Sequence, residues 1–385
     1  MMRDPLVPDV HPDATLLVGP ARYTVAELRE RPRAVDELSR PALDFCRAWL
    51  RGDERFTLTT SGSTGPPKPI ELTRAQMAAS ARATAAALGL RAGDRSLICL
   101  PTRFIAGRMM LVRGLVLGFE SRLVEPSADP LASLPEAERF AFAAFVPLQM
   151  QTMLEGPPDR RARLDAMRAI LVGGAPLSPA LEGAIATLTA PVFHTYGMTE
   201  SATHIALRPL TGARRSDRFL PLPGVETRLD DRGCLALRGP MTANAWLQTN
   251  DLVDLAGDGS FRWLGRVDLV VNSGGVKVAV EALEERLHGL LAEAGEAATG
   301  TEWGARRFFL AGVPDERLGQ ALTLIVEGEP LPVAEQEALK AFLRVRLEPW
   351  ETPRQLLFTA RLAETPNGKI DRPTSLAQAL ADDSS

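Results

Sequence analysis

Thr57-Leu-Thr-Thr-Ser-Gly-Ser-Thr-Gly-Pro-Pro-Lys-Pro-Ile-Glu-Leu72 is the stretch on which the reading of this chain turns. A strand-like lead-in opens into hydroxyls, two glycines and one lysine. Gly62 and Gly65 let the backbone turn its N–H groups inward, and Thr60, Ser61, Ser63 and Thr64 add hydroxyl donors. The result is a concave, electropositive nest suited to a polyphosphate, with Lys68 at its end. It is not a Walker A loop, because no Gly-Lys-Ser/Thr follows at the required spacing. A Ser/Gly/Pro linker has a similar composition and stays open on this stretch alone.

Outward from that loop the chain alternates short apolar strands with helices. Thr73 and Gln76 form a capping box ahead of a helix over 77–88 that stops near Gly89. Strands are predicted over 95–100, 121–124, 143–146, 169–172 and 191–195, with helices over 109–117 and after Ser178-Pro179. Such alternation argues for an α/β layered domain. After Gly265 the pattern changes to helix 280–288, strands 308–313 and 322–327, helix 334–347 and strand 355–358, enough for a small α+β domain. The expected division is therefore 1–265 and 266–385.

Bulk composition excludes several classes. The net charge is −4, from 44 basic and 48 acidic residues interspersed over 385, so neither nucleic acid nor an anionic membrane is expected as a partner. Cys46, Cys99 and Cys234 are too few and scattered for a disulfide framework or a metal-ligand spacing. The acidic, proline-rich start does not read as a signal peptide, and the densest apolar run, 140–148, is too short to span a bilayer. A cytoplasmic protein is expected, with a homodimer left open.

Four further stretches carry chemistry. Val172-Gly-Gly-Ala-Pro-Leu ends a strand on Gly173, Gly174 and Ala175, where a flat ring can lie against bare backbone; a plain strand-to-helix turn reads the same way. In His194-Thr-Tyr-Gly-Met-Thr-Glu-Ser-Ala-Thr-His, Tyr196 can stack on a base, Thr199 bond a phosphate oxygen and Glu200 hold Mg²⁺; the alternative is a surface loop with a capped helix start. Asp251 and Arg266 suit the hydroxyls of a ribose, or else pair with each other. Thr365-Pro-Asn-Gly-Lys-Ile-Asp-Arg presents Lys369 on a tight turn, where a solvated lysine is the other reading.

Taken together, Thr-Ser-Gly-Ser-Thr-Gly-Pro-Pro-Lys, Tyr-Gly-Met-Thr-Glu, Gly-Arg-Val-Asp with Ser-Gly-Gly-Val-Lys, and Asn-Gly-Lys-Ile-Asp-Arg resemble the ordered core motifs of the adenylate-forming superfamily. That superfamily includes acyl- and aryl-CoA synthetases, luciferases and peptide-synthetase adenylation domains. The resemblance implies a large ATP- and acyl-binding α/β domain with a small, mobile α+β domain, and ATP, Mg²⁺ and coenzyme A as cofactors. It implies that residues 60–68 hold the triphosphate, that Gly173–Ala175 and Tyr196 flank the adenine, and that Asp251 and Arg266 hold the ribose. Thr199 and Glu200 would face the α-phosphate and Mg²⁺. Lys369 would bridge the carboxylate and the α-phosphate. Asp268 matches the hinge, and Gly274, Gly275 and Lys277 fall on the thiol side. The family reaction joins a carboxylic acid to AMP with loss of pyrophosphate, after which a thiol displaces AMP.

Two departures are specific to this chain. Asn250 stands where the family usually has glycine, a change expected to be benign because asparagine tolerates a left-handed turn. In Leu100-Pro-Thr-Arg-Phe-Ile-Ala-Gly-Arg-Met-Met, Phe104 replaces a common histidine, and Arg103 and Arg108 are additions. A fatty-acid tunnel has no use for guanidinium groups, whereas a second carboxylate needs one. These segments look most like compact o-succinylbenzoate–CoA ligases of the menaquinone pathway, with Phe104, Arg108, Val146, Gln149 and His204 as pocket candidates. Solvent-facing arginines at a helix start are the competing reading. An aryl or acyl-CoA synthetase of other specificity, or an adenylation enzyme delivering to a carrier protein or amine, also fits the motifs.

Overall fold

The computed structural model describes residues 9–30, 36–37, 39–59, 69–294, 303, 306–364 and 370–383. Strands β1 (Thr15–Val18) and β2 (Ala21–Thr24) form a hairpin and lead into helices α1 (Val25–Arg29) and α2 (Ser39–Arg51). Strands β3 (Arg55–Thr59) and β4 (Pro69–Thr73) pair antiparallel and flank residues 60–68. Phe56 of β3 packs into α2, its ring 5.1 Å from Phe45 and 5.4 Å from Trp49.

Helix α3 (Arg74–Leu88) starts where the capping box is expected. The Gln76 N–H donates to Thr73 Oγ1 at 3.2 Å and the Thr73 N–H to Gln76 Oε1 at 3.0 Å. It ends on Gly89, which adopts a left-handed φ of 65°. There follow β5 (Arg95–Ile98), α4 (Ile105–Leu117), β6 (Glu120–Leu123), β7 (Phe142–Phe145), α5 (Pro147–Glu155) and α6 (Pro158–Asp165). The run continues with β8 (Ala169–Val172), α7 (Pro179–Ile185), β9 (Val192–Met198), β10 (Thr203–Pro209) and β11 (Leu220–Pro221).

Nine of these strands form one sheet in the order β11-β10-β9-β8-β7-β5-β6-β1-β2. Its centre, from β1 through β9, is parallel, and β2, β10 and β11 add antiparallel edges. All four residues of β8 are buried, as a strand covered on both faces requires. Ile98 and Leu171 point into the layer that contains α3 and α4, and Leu97 and Ile170 into the layer containing α5 to α7. The α/β layering read from the sequence is therefore present, with the five predicted strands β5 to β9 located to within a few residues; β1, β2, β10 and β11 were not read from the sequence.

A four-stranded antiparallel sheet was not read from the sequence. It comprises β12 (Glu226–Leu229), β13 (Cys234–Arg238), β14 (Leu247–Leu255) and β15 (Phe261–Arg266). β12, β14 and β15 bury few or only alternate residues, so their apolar runs are broken, while β13, buried over 234–237, was missed despite its apolar run.

The remaining sheet holds β16 (Val270–Ser273), β17 (Val276–Ala279), β18 (Phe308–Asp315), β19 (Gly319–Glu327) and β20 (Gln355–Thr359). Helices α8 (Val280–Ala294) and α9 (Val333–Arg344) bury one face of it and α10 (Arg372–Asp383) the other. Arg372 of α10 is tied to Glu284 of α8 by two hydrogen bonds of 2.8 and 2.6 Å.

Candidate functional site

In open parallel sheets, ligands sit beyond the carboxyl ends of the strands. Here the motif segments gather at that edge. Thr102–Arg108 follows β5, Val146–Gln149 follows β7, Gly173–Ala175 follows β8, and Tyr196–Glu200 closes β9, on neighbouring strands.

Gly173 packs against the next strand with no room for a side chain. A Cβ there would stand 1.9 Å from Thr195 Oγ1, which itself donates to the Val172 carbonyl at 3.3 Å. Gly174 has φ 89°, and a Cβ on it would meet Val146 Cγ1 at 3.7 Å, so the Val146 side chain borders this turn. Ser178 caps α7 beyond the turn, accepting from the Leu181 N–H at 3.2 Å.

Tyr196 lies edge-on to Phe261 at 5.0 Å and 5.7 Å from Phe219, while Phe219 and Phe261 stack on each other. Its hydroxyl donates to Asp251 Oδ2, and Trp263 Nε1 donates to Asp251 Oδ1 at 3.4 Å. Burial, with the Asp251 carboxylate beside it, holds the phenol well above its ordinary range. Asp251 is 8% exposed. Arg266 is not paired with it; its guanidinium grips Asp268 in two hydrogen bonds of 2.9 and 2.7 Å. That contact raises Arg266 and lowers Asp268 from their usual values.

Asn250 is not in a left-handed turn, as the sequence reading supposed. It lies within β14 with a negative φ, and its Oδ1 accepts from Arg232 Nη1 at 3.1 Å. Thr199 and Glu200 form a 3₁₀ turn after β9, with Glu200 exposed. Among the described residues, no three His, Cys, Asp or Glu side chains gather in a metal-binding cluster. Gly274 and Gly275, with φ 62° and 85°, turn β16 into β17, which carries the exposed Lys277. Thr60, Ser61, Gly62, Ser63, Thr64, Gly65, Lys68 and Lys369 lie outside the described residues.

The pocket candidates separate into two groups. Gln149 is committed to backbone: its Oε1 accepts from the Val146 N–H at 3.1 Å, and its Nε2 donates to Ser127 O at 2.9 Å. Arg108 reaches β3, donating to Thr57 O at 3.2 Å, and also to Thr102 O at 3.4 Å. Burial lowers its pKa. Phe104 caps α4 with the Arg103 guanidinium 4.8 Å from its ring.

His204 leads to a residue the sequence reading missed. It sits on β10 directly across from Gly197, 4% exposed, with Nε2 3.0 Å from Thr84 Oγ1 and Nδ1 3.4 Å from Arg113 Nη2. A guanidinium only donates, so Nδ1 accepts and Nε2 carries the proton. Burial first, then the Arg113 charge, holds the ring neutral, well below its ordinary value.

Arg113 is 1% exposed. Its other contact is Met110 Sδ at 3.6 Å, and Nε has no partner. Ser80 Oγ, one turn from Thr84 on α3, is also unpartnered. No carboxylate among the described residues pairs with Arg113, and burial pushes it down to about 9, still cationic at neutral pH. An uncompensated buried charge is costly. An arginine inside an apolar helix gives no pattern cue beyond its type.

Residues 9–243 match the family model described as AMP-binding enzyme. A probable 2-succinylbenzoate–CoA ligase of Mycobacterium tuberculosis is 32% identical over 344 residues, covering 83% of each chain. The crystal structure of an acyl-CoA synthetase (AMP-forming)/AMP-acid ligase II-like protein from Dyadobacter fermentans is 40% identical. It covers 91% of this chain and 97% of its own, with a TM-score of 0.60. The o-succinylbenzoate CoA synthetase of Bacillus subtilis, solved with ATP and magnesium ion, shares the fold with a TM-score of 0.66. It is 22% identical, covering 83% of this chain and 69% of its own. With this family match and these edge-clustered motifs, the chain belongs to the AMP-binding enzymes, the adenylate-forming acyl-CoA ligases.

Proposed function

We propose that the chain activates o-succinylbenzoate, an aromatic keto-dicarboxylate, with ATP and transfers the acyl group to coenzyme A. The observation that carries this reading is Arg113: a buried cation without a counter-ion among the described residues, against His204 across from Gly197 near the end of β9, with an unused N–H. A substrate with a second carboxylate supplies the missing charge. Arg108 was the candidate for that role in the sequence, but its donors go to backbone carbonyls. It is better suited to anchoring β3, the strand entering the hydroxyl-rich loop.

In this reading the adenine lies between the Gly173–Ala175 turn and Tyr196, and Asp251 accepts from the ribose hydroxyls. A carboxylate has about four lone-pair sites, so the Tyr196 and Trp263 donors leave capacity for the sugar. Glu200 suits Mg²⁺ as a single exposed carboxylate, since that ion is commonly held by one or two carboxylates with phosphate and water completing the shell. When bound, Mg²⁺ supplies charge neutralisation at the phosphates.

The substrate carboxylate oxygen attacks the α-phosphorus, and the P–O bond to pyrophosphate breaks with its electron pair leaving on pyrophosphate. Thr199, Lys68 and Lys369 provide donors and charge where two anions meet. The CoA thiolate then attacks the acyl carbon, and AMP departs with one oxygen of the original carboxylate. Rotation about Asp268, bringing Gly274, Gly275 and Lys277 to the site, would separate the two steps, with 1–265 and 266–385 as the moving units. The test is pyrophosphate release with a panel of carboxylic acids, with and without CoA. o-Succinylbenzoate should be turned over fastest and CoA should accelerate it; faster turnover of fatty or benzoic acids would refute the assignment.

A further inference from the structure

Two residues before Tyr196, on the same face of β9, His194 occupies a position the proposed reaction does not use. Its surroundings are ordered from the outside inward. Glu182 of α7 binds the Arg208 guanidinium with both oxygens, Nη1 donating to Oε2 at 3.2 Å and Nη2 to Oε1. Arg208 of β10 in turn donates to His194 Nδ1 at 3.2 Å. Because the guanidinium can only donate, Nδ1 is the acceptor and the ring proton sits on Nε2. His194 is the cross-strand partner of Val172, the residue just before Gly173, which sets its ring beside the turn after β8, where it interacts with the Ala175 backbone.

We infer that His194 is a positioning residue for the Gly173–Ala175 turn, oriented by the Glu182–Arg208 pair, and that it sets how firmly the nucleotide base is held. The inference rests on the proposed placement of the adenine at that turn. Both ends of the turn are fixed by other means, Thr195 to the Val172 carbonyl at its start and the Ser178 cap at its end. Between them Gly174 takes a left-handed φ of 89° with the Val146 side chain beside it, and His194, in register with Val172, faces Ala175. Burial first, and then the neighbouring Arg208 charge, push the imidazole down to about 4. It therefore stays a neutral donor at working pH. Phe219, 5.5 Å from His194 and 5.7 Å from both Tyr196 and the Arg208 guanidinium, backs the assembly.

The test separates base positioning from general packing. His194→Phe keeps an aromatic ring against Phe219 but removes both hydrogen-bonding edges, whereas His194→Gln can accept from Arg208 and donate to Ala175. Arg208→Met breaks the relay from the other end. ATP affinity is measured by calorimetric titration without acid, and inorganic tripolyphosphate, which lacks the base, by competition. His194→Phe and Arg208→Met should each weaken ATP about tenfold, the scale of one lost hydrogen bond, with tripolyphosphate and the KM for the acid unchanged. His194→Gln should lie within about threefold of wild type. Unchanged ATP affinity in both relay variants, equal weakening of tripolyphosphate, or no rescue by glutamine would overturn the inference. A wild-type protein that binds no ATP would instead refute the proposed function, and this inference with it.

Discussion

Replacing Arg113 with methionine should affect stability and catalysis in different ways. Methionine keeps the length and apolar bulk of the side chain within a helix buried on nearly every side, so little cavity is created. In the free protein the substitution removes a cation pushed down to about 9 by burial, with no carboxylate partner among the described residues. Replacing buried ionic groups by apolar ones is neutral or stabilising by about 1–4 kcal/mol. His204 Nδ1 loses its donor, which returns about 1–3 kcal/mol. The melting temperature is therefore expected to hold or rise by a few degrees. With substrate the sign reverses. Losing a charge-assisted bond to the second carboxylate costs about 1.5–3 kcal/mol, or about 10–150-fold in kcat/KM. The assay compares o-succinylbenzoate with 4-oxo-4-phenylbutyrate, which lacks the ring carboxylate, by pyrophosphate release. Only the dicarboxylate should suffer. Equal losses on both acids, or a marked drop in melting temperature, would refute the reasoning and make Arg113 a structural residue.

Arg108→Ala should lower activity on both acids alike and raise the KM for ATP, because Arg108 holds the Thr57 carbonyl in the strand before residues 60–68; a loss confined to the dicarboxylate in kinetic comparison would return it to the acyl pocket. Gly173→Ala should destabilise the protein by about 1–3 kcal/mol in denaturant melts, since its Cβ would fall 1.9 Å from Thr195 Oγ1, and Thr195→Ala in the same chain should recover most of the loss. Glu281, in the first turn of α8, has a buried Oε2 without a partner, and burial lifts its carboxyl from 4.5 to about 7. The folded state thus holds this proton more tightly than the unfolded one. The stability it contributes is present below about 4.5 and lost as pH rises through about 7. Glu281→Gln should accordingly stabilise the protein more at pH 8 than at pH 5, by on the order of 1–3 kcal/mol in thermal melts; an equal effect at both values would contradict the burial.

The layered fold was legible because its signals are local. The Thr73–Gln76 capping box, the all-apolar Ala169–Val172 strand and the Ser178-Pro179 helix start each declare themselves within a few residues. Gly173 was read as leaving room for a flat ring, whereas the crowding against it comes from Thr195 on the next strand, which the sequence reading did not contain. What could not be read depends on distance in the chain. Tyr196 meets Asp251 from 55 residues away, and His204 meets Thr84 from 120. Arg108 and Arg113 look alike as letters, yet one spends its donors on carbonyls and the other keeps a donor in reserve. Only packing separates them. Asn250 was judged by the backbone conformation glycine permits, while its side chain proves to be tied to Arg232 instead.

The central claim is that a carboxylate is activated by joining it to AMP, and oxygen labelling tests it most directly. o-Succinylbenzoate carrying ¹⁸O in its aliphatic carboxylate is turned over with ATP and CoA, and the products are weighed by mass spectrometry. Attack on the α-phosphorus followed by thiol displacement must leave one labelled oxygen on AMP and none on pyrophosphate. Label in inorganic phosphate with ADP as the nucleotide product, or unlabelled AMP, would contradict the account.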